Sequence, residues 1–512
     1  MAIKIILLVL FFSAMIGVGL YCRRHATDVN GFVLGGRSVG PWLTAFAYGT
    51  SYFSAVIFIG YAGQFGWKFG VASTWIGIGN AVIGSLLAWV VLGRRTRLMT
   101  HHFDSSTMPE FFGARFSSKM LKIVASLIVF IFLIPYTASL YNGLSRLFGM
   151  AFNIDYTLCI IIMAVLTGIY VIAGGYMATA INDFIQGLIM IGGIIAVVFA
   201  VLKTNGGFMA SIDALAHVTD PAVSSTPGTF ASFFGPDPLG LLSVIILTSL
   251  GTWGLPQMVQ KFYSIKSEKS INQGTIISTI FAVIVAGGCY FLGGFGRLFT
   301  TNAAVAESGF DSIIPTMLAN LSPLLIGIIV ILVLSASMST LSSLVMASSS
   351  TLTLDFINGV FVKDMKEKSK LLCIRLMIVV FILISVIIAV VQYKQNVTFI
   401  AQLMGISWGA LAGSFLAPFL FGLYWKRTTK VAAFSSFAFG SGIMILNMAC
   451  RGIFPAFLQS PINCGAFAML AGFIIVPVVS LLTKAPDKQL VDDAFACYNT
   501  KVVVSAKHAL SD

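Results

Sequence analysis

Apolar runs of about 20 residues recur along the whole chain, separated by short polar stretches. Thirteen can be marked, at about 3–21, 42–64, 71–93, 121–144, 154–173, 183–202, 238–258, 274–296, 323–347, 372–392, 399–424, 432–450 and 464–482. A helix needs about 20 apolar residues to cross the hydrocarbon layer, so the pattern predicts an all-α integral membrane protein of about 13 transmembrane helices. No soluble domain remains between them, which predicts one polytopic domain over 1–482 and a polar cytoplasmic tail over 483–512. The first run has a longer apolar core than a signal peptide and no small-residue cleavage site after it, so it is expected to be retained.

Four of these runs contain polar chemistry where hydrocarbon is expected. The ninth reads SASMSTLSS over 335–343. On a helix Ala336, Ser339, Thr340 and Ser343 share one face, which makes a column of hard oxygen ligands suited to a hard cation, Na⁺ being the natural candidate for neutral hydroxyls. Small residues that let membrane helices approach closely would give the same composition. The second run (TAFAYGTSYFSAVIFIG from 44) and the seventh (IILTSLGTWGLPQMV from 245) each hold a Gly-Thr pair. Gly251, Gly254 and Pro256 interrupt the seventh. Unwound backbone at membrane depth is tolerated where it lines a cavity, and a matched pair of broken helices is a transporter signature; the alternative is two simple kinks. Asp183 opens the sixth run. An intramembrane carboxylate is a functional candidate that needs a partner, and no Lys or Arg is expected in the neighbouring spans. An interfacial helix cap is the other reading.

The chain has 512 residues, 58% of them hydrophobic and 10% charged, with a net charge of +13. Soluble domains carry roughly 25% charged residues. With the N-terminus outside and thirteen crossings, 24 of the 31 Lys and Arg fall on the inner side and seven on the outer, as the positive-inside rule requires. The basic excess is thereby accounted for without nucleic acid. Seven scattered cysteines form no CxxC pair and no disulfide framework, although Cys450 and Cys464 could meet on the outer face; five histidines form no HExxH. A membrane enzyme would need a paired acid and base or a metal cluster, and Asp183 alone provides neither.

Four segments carry a resemblance: LGGRSVGP from 34, TMPEFFGARF from 107, GGYMATAINDFIQGLIM from 174 and SASMSTLSS from 335. In order and spacing they resemble the sodium/solute symporter family, closest in look to its sodium/proline branch. The resemblance implies a leucine-transporter-like fold, with two inverted five-helix repeats at about 42–202 and 238–424 and flanking helices. It implies alternating access in a plasma (inner) membrane protein, with Na⁺ as coupling ion, one or two per cycle, and a monomeric functional unit. By position, the first sodium site would use Thr50, Phe53, Ala336, Ser339 and Thr340. A second would use Asp183, Ser339, Ser342 and Ser343. The substrate site would draw on Ser51, Ser54, Tyr136, Ser139, Thr252, Trp253, Gln257 and Trp408, with packing as the other role of the two tryptophans. Arg37 matches a basic gating residue. Tyr52 stands where the proline branch carries an acidic residue, which argues against proline. A small zwitterion or monocarboxylate is expected; a sugar or polyol symporter, or a solute-sensing or channel-like protein on the same fold, is the alternative.

Overall fold

The computed structural model describes residues 2–23, 26–152, 155–362, 365–395 and 400–499. Arg24, His25, Lys363 and the tail from 500 onward lie outside the described residues. Among the described residues the protein is helical, with isolated bridges at Val39–Ile265 and Asp220–Ser224 in place of any sheet.

Among the described residues eleven helices are long and apolar enough to cross a membrane, where thirteen crossings were expected. Two of the eleven are about twice the length one crossing needs: Val56–His102, with 47 residues, and Tyr156–Thr204, with 49. Each contains one glycine in the left-handed region, Gly70 (φ 64°) and Gly175 (φ 58°). A Cβ at Gly70 would lie 2.0 Å from the Phe230 carbonyl oxygen, and one at Gly175 would lie 2.8 Å from that of Phe32. Only glycine fits both the torsion and the space, so these residues set where the long helices turn.

The elements around the site are α1 (Pro41–Tyr52), α2 (Lys119–Phe152), α3 (Tyr156–Thr204), α4 (Pro238–Leu250), α5 (Pro256–Tyr263), α6 (Pro323–Thr351) and α7 (Ile400–Tyr424). Helix α1 starts with Pro41 in its first turn and stops where Phe53 becomes extended (φ −82°, ψ 121°). Helix α4 runs into a tight turn at Gly251–Trp253, and the chain then becomes extended at Leu255 (φ −86°, ψ 122°) before α5 begins. Leu255 precedes Pro256, whose ring excludes the helical region for the residue before it. The seventh run breaks where expected; in the second run Gly49, Thr50 and Ser51 are helical and the break falls at Phe53, one extended residue with torsions close to those of Leu255.

The hydroxyl-rich helix α6 is not a lipid-facing span. It packs against α1, α2 and α3, and every residue from Ile329 to Thr351 is buried. By contrast, Glu367–Gln395 exposes Leu372, Leu376, Leu383 and Ile387 along one side. The tail is partly structured: Lys488–Ala496 is a helix, Lys426 pairs with Asp492 (2.8 Å), and the Tyr498 hydroxyl donates to the Leu423 carbonyl (2.7 Å).

Candidate functional site: a broken helix against a hydroxyl ladder

The extended residue at the end of α1 frees backbone carbonyls, and α6 presents hydroxyls to them. Ser339 Oγ donates to Thr50 O (3.2 Å), and Thr340 Oγ1 reaches both Thr50 O (3.1 Å) and Phe53 O (3.2 Å). The same hydroxyls lie 3.1 and 3.0 Å from Ala336 O. Thr50, Phe53, Ala336, Ser339 and Thr340 thus come together as one cluster of five oxygens, fully or almost fully buried. No charged side chain contributes to it. Neutral oxygens about 3 Å apart have the hardness and compactness of a small monovalent cation's ligand shell.

One turn further along α6 the chemistry changes. Asp183 on α3 is fully buried, yet it is not without a cation. Lys261 Nζ, from α5, lies 3.7 Å from Asp183 Oδ2 and donates to Ser343 Oγ at 3.0 Å. The expectation that no Lys or Arg lies in the neighbouring spans is therefore corrected. Lys261 follows the break in the seventh run closely enough to read as a loop residue, but the half-helix that begins at Pro256 draws it inward, and it is 3% exposed. Ser343 Oγ also shares a hydrogen bond with Ser51 Oγ (2.7 Å). Ser342 Oγ donates to Ser339 O (2.8 Å), along its own helix. Of the four residues expected at a second sodium site, Ser339 faces the first cluster and Asp183 and Ser343 face Lys261.

The residues expected to touch substrate separate into two groups. Trp408 on α7 has its ring 5.8 Å from Tyr136 and 5.7 Å from Tyr52. Ser54 lies beside the Tyr136 hydroxyl, and Tyr52 beside Tyr290 and Asn80. The Tyr52, Ser54 and Tyr136 hydroxyls, Trp408 Nε1 and Asn80 Nδ2 are all buried without a hydrogen-bond partner. Buried polar groups are nearly always satisfied, so a group of orphaned donors marks a place for a polar molecule. A small cavity beside the break, lined by Tyr52, Phe53, Asn80, Gly84, Thr252 and Ala286, adjoins them. Gln257, on α5, is also buried with both amide atoms unpartnered. The second group is spoken for: Trp253 Nε1 donates to Ile83 O (2.9 Å), Thr252 Oγ1 to Gly84 O (3.1 Å) and Ser249 O (2.9 Å), and Ser139 Oγ to Tyr136 O (2.6 Å). Ser51 belongs to the Lys261 cluster. Asn80 and Tyr290 were missed because an isolated Asn or Tyr in an apolar run has no signature until its neighbours are known.

Arg37 sits in a run of three left-handed residues, Gly35, Gly36 and Arg37 (φ 56°). Its guanidinium donates to Ser105 O (2.7 Å) and lies 3.6 Å from Asp104. Arg97 Nε donates to Ile265 O (2.6 Å), and Val39 bridges Ile265. Arg37 therefore helps fasten the segment before α1 to the 103–106 turn and the end of α5. At the other end of the molecule Arg297 pairs with Asp220 (3.0 Å) between the rings of Trp67 and Phe230. Burial pushes the Asp220 carboxyl up, but the Arg297 hydrogen bond and charge outweigh it and hold the group below its ordinary value.

The model of the sodium:solute symporter family matches residues 32–440. The chain is 31% identical over 495 residues to a sodium/proline symporter of Staphylococcus aureus (strain JH9), covering 94% of this chain and 93% of that protein. It is 29% identical over 501 residues to the osmoregulated proline transporter OpuE of Bacillus subtilis (strain 168), covering 95% and 96%. Its fold is that of a Na⁺-coupled sialic acid symporter solved in a substrate-bound outward-open state, with a TM-score of 0.71 at 18% identity, covering 95% of this chain and 99% of that one. The chain belongs to the sodium:solute symporter family: it is a multi-pass membrane transporter with Na⁺ as its coupling ion, and not an enzyme.

Proposed function

We propose that this protein imports a proline-sized amino acid together with Na⁺ by alternating access, with proline the first substrate to test. The observation that carries the reading is the aim of the Ser339 and Thr340 hydroxyls at the Thr50 and Phe53 carbonyls. Na⁺ held by those four groups and Ala336 O would tie the broken α1 to α6. That tie would set the position of Tyr52 and Ser54, which flank the carbonyl ligands, and so complete the pocket with Tyr136 and Trp408. Coupling then needs only that Na⁺ prefer the substrate-competent state. Each Na⁺ entering down the membrane potential supplies about 2.3 kcal/mol per 100 mV.

The orphaned groups near the break include Tyr, Ser and Trp donors, which suit a carboxylate. The two relatives named as proline transporters support proline. Tyr52 supports a second reading, a small carboxylate without an amine, because that tyrosine offers an amine no fixed negative charge. Gly70 and Gly175 divide the two double-length helices, which supports thirteen crossings with the termini on opposite sides; the Lys and Arg bias supports an N-terminus outside and a C-terminus in the cytoplasm. The matched torsions of Phe53 and Leu255 support two inverted repeats, about 42–202 and 238–424. Arg37 acts as an inner latch that must release Ser105 before the substrate can leave.

Uptake of labelled proline into proteoliposomes tests this. Uptake should require an inward Na⁺ gradient and fail in choline, with unlabelled small carboxylates competing weakly. Equal uptake in Na⁺ and choline would overturn sodium coupling. Sodium-driven uptake of a carboxylate that proline does not inhibit would replace the first substrate with the second.

A further inference from the structure

We propose that the Lys261 ammonium is a tethered resident cation that takes the place of a second sodium ion at Asp183 and Ser343, so that the transporter binds one Na⁺ per cycle. The inference rests on the sodium-coupled reading above, and it corrects the two-ion capacity expected by resemblance.

The ammonium stands where a cation would bind, in ion-pair range of the Asp183 carboxylate, although neither Asp183 oxygen has a hydrogen-bond partner among the described residues. Lys261 Nζ has Asp183 Oδ2 at 3.7 Å, Ser343 Oγ at 3.0 Å and the face of the Tyr176 ring at 5.1 Å from its centroid. A carboxylate, a hydroxyl and an aromatic face are each favourable partners for an ammonium. Both side chains of the ion pair are nearly or fully out of solvent, where an uncompensated charge is strongly disfavoured. One carboxylate balances one cation. A sodium ion placed on Asp183 and Ser343 would sit within a few ångströms of the ammonium and leave a net positive charge in a low-dielectric interior.

The tether also has a mechanical consequence. Asp183 is on α3, Lys261 on α5 and Ser343 on α6, and Ser343 shares its hydroxyl with Ser51 on α1. The lysine therefore travels with the half-helix behind the second break. A free sodium ion at this place would be released to the cytoplasm in each cycle; a lysine returns with its helix. The charge carried inward with a zwitterion is then one per cycle.

The test uses the purified full-length protein and ²²Na⁺ alone, counted by scintillation proximity, beside the Na⁺ dependence of thermal stability. Wild type should bind one saturable Na⁺ with a Hill coefficient near one. Lys261→Met should acquire a second, with the coefficient moving toward two, and Asp183→Asn should still bind one. Two ions in wild type would overturn the proposal, as would a folded Lys261→Met that still binds one, or loss of Na⁺ binding in a folded Asp183→Asn. Should Lys261→Met fail to fold, the wild-type count decides by itself. No saturable Na⁺ binding in wild type, with no Na⁺-dependent stabilisation, would remove the sodium-coupled reading and this inference with it.

Discussion

Two polar clusters lie about one helical turn apart on α6, and they solve opposite problems. The cluster at Ser339 and Thr340 collects five oxygens and no charge. The cluster at Ser343 contains a carboxylate and an ammonium that cancel. The first offers neutral oxygens and no charge of its own; the second is already neutral. Small polar residues on a membrane helix therefore do not by themselves count ions. What faces them decides: freed backbone carbonyls of α1 in one case, and a lysine delivered by α5 in the other.

The largest effect that separates the clusters should come from the neutral one. In the double variant Ser339→Ala/Thr340→Val, two of five oxygen ligands vanish and nothing charged remains to hold Na⁺. The Na⁺ concentration for half-maximal uptake should rise by at least about 100-fold, as read from initial rates in proteoliposomes; each lost ligand is equivalent to about one hydrogen bond to a charge. An unchanged Na⁺ dependence would place the ion elsewhere.

The charged cluster should break differently, through stability. Asp183→Asn leaves a buried ammonium without its counter-charge, which costs about 3–5 kcal/mol and should lower the detergent melting temperature sharply. Asp183→Asn/Lys261→Met removes both charges and should recover most of that loss. Additive losses in the double-mutant cycle would mean the two groups do not act as a pair.

A second carboxylate sharpens the comparison because it is buried against a backbone amide rather than beside an ammonium. Asp311, in the loop before α6, is 3% exposed and accepts from the Ile400 amide (3.3 Å). Burial pushes its carboxyl up to about 6, against an ordinary 3.8, with the Ile400 hydrogen bond opposing. The folded state thus binds this proton more tightly than the unfolded one. The destabilising charge is absent below pH 3.8, develops as pH rises through about 6 and is complete above it. Its size is on the order of 3 kcal/mol. The melting temperature should therefore fall between about pH 4 and pH 6 and level off above that, and Asp311→Asn should flatten that slope. A variant with the wild-type slope would assign it to another group.

The smallest effect should come from a pair that water already screens. Lys426 and Asp492 meet at 2.8 Å, but their side chains are 58% and 49% exposed. Lys426→Ala should shift stability by less than about 1 kcal/mol in a melt. A larger shift would show that the Lys488–Ala496 helix is held to the body by this contact.

The amino-acid sequence by itself determined what short-range chemistry can write. It placed apolar runs of membrane length, hydroxyls at helical spacing on α6, and the break at Gly251–Pro256, because length, periodicity and backbone interruption are local properties; the break in the second run lies at Phe53, just past the Gly49-Thr50 pair, which is itself helical. The α6 face of the first oxygen cluster was legible for the same reason, whereas its pairing with Thr50 and Phe53 came only from the family resemblance. Tertiary structure alone decided which partner each polar group meets. Lys261 reads as the end of a span, and only the angle of α5 brings it to Asp183. Ser51 reads as a pocket residue, and only its approach to Ser343 moves it into the charged cluster. Trp253 and Trp408 look alike in the chain, yet one is bonded to Ile83 and the other stands unpartnered beside Tyr52 and Tyr136. These pairings join residues roughly 80 to 360 positions apart in the chain, and no local pattern encodes them. They are set by which helices pack together and at what rotation.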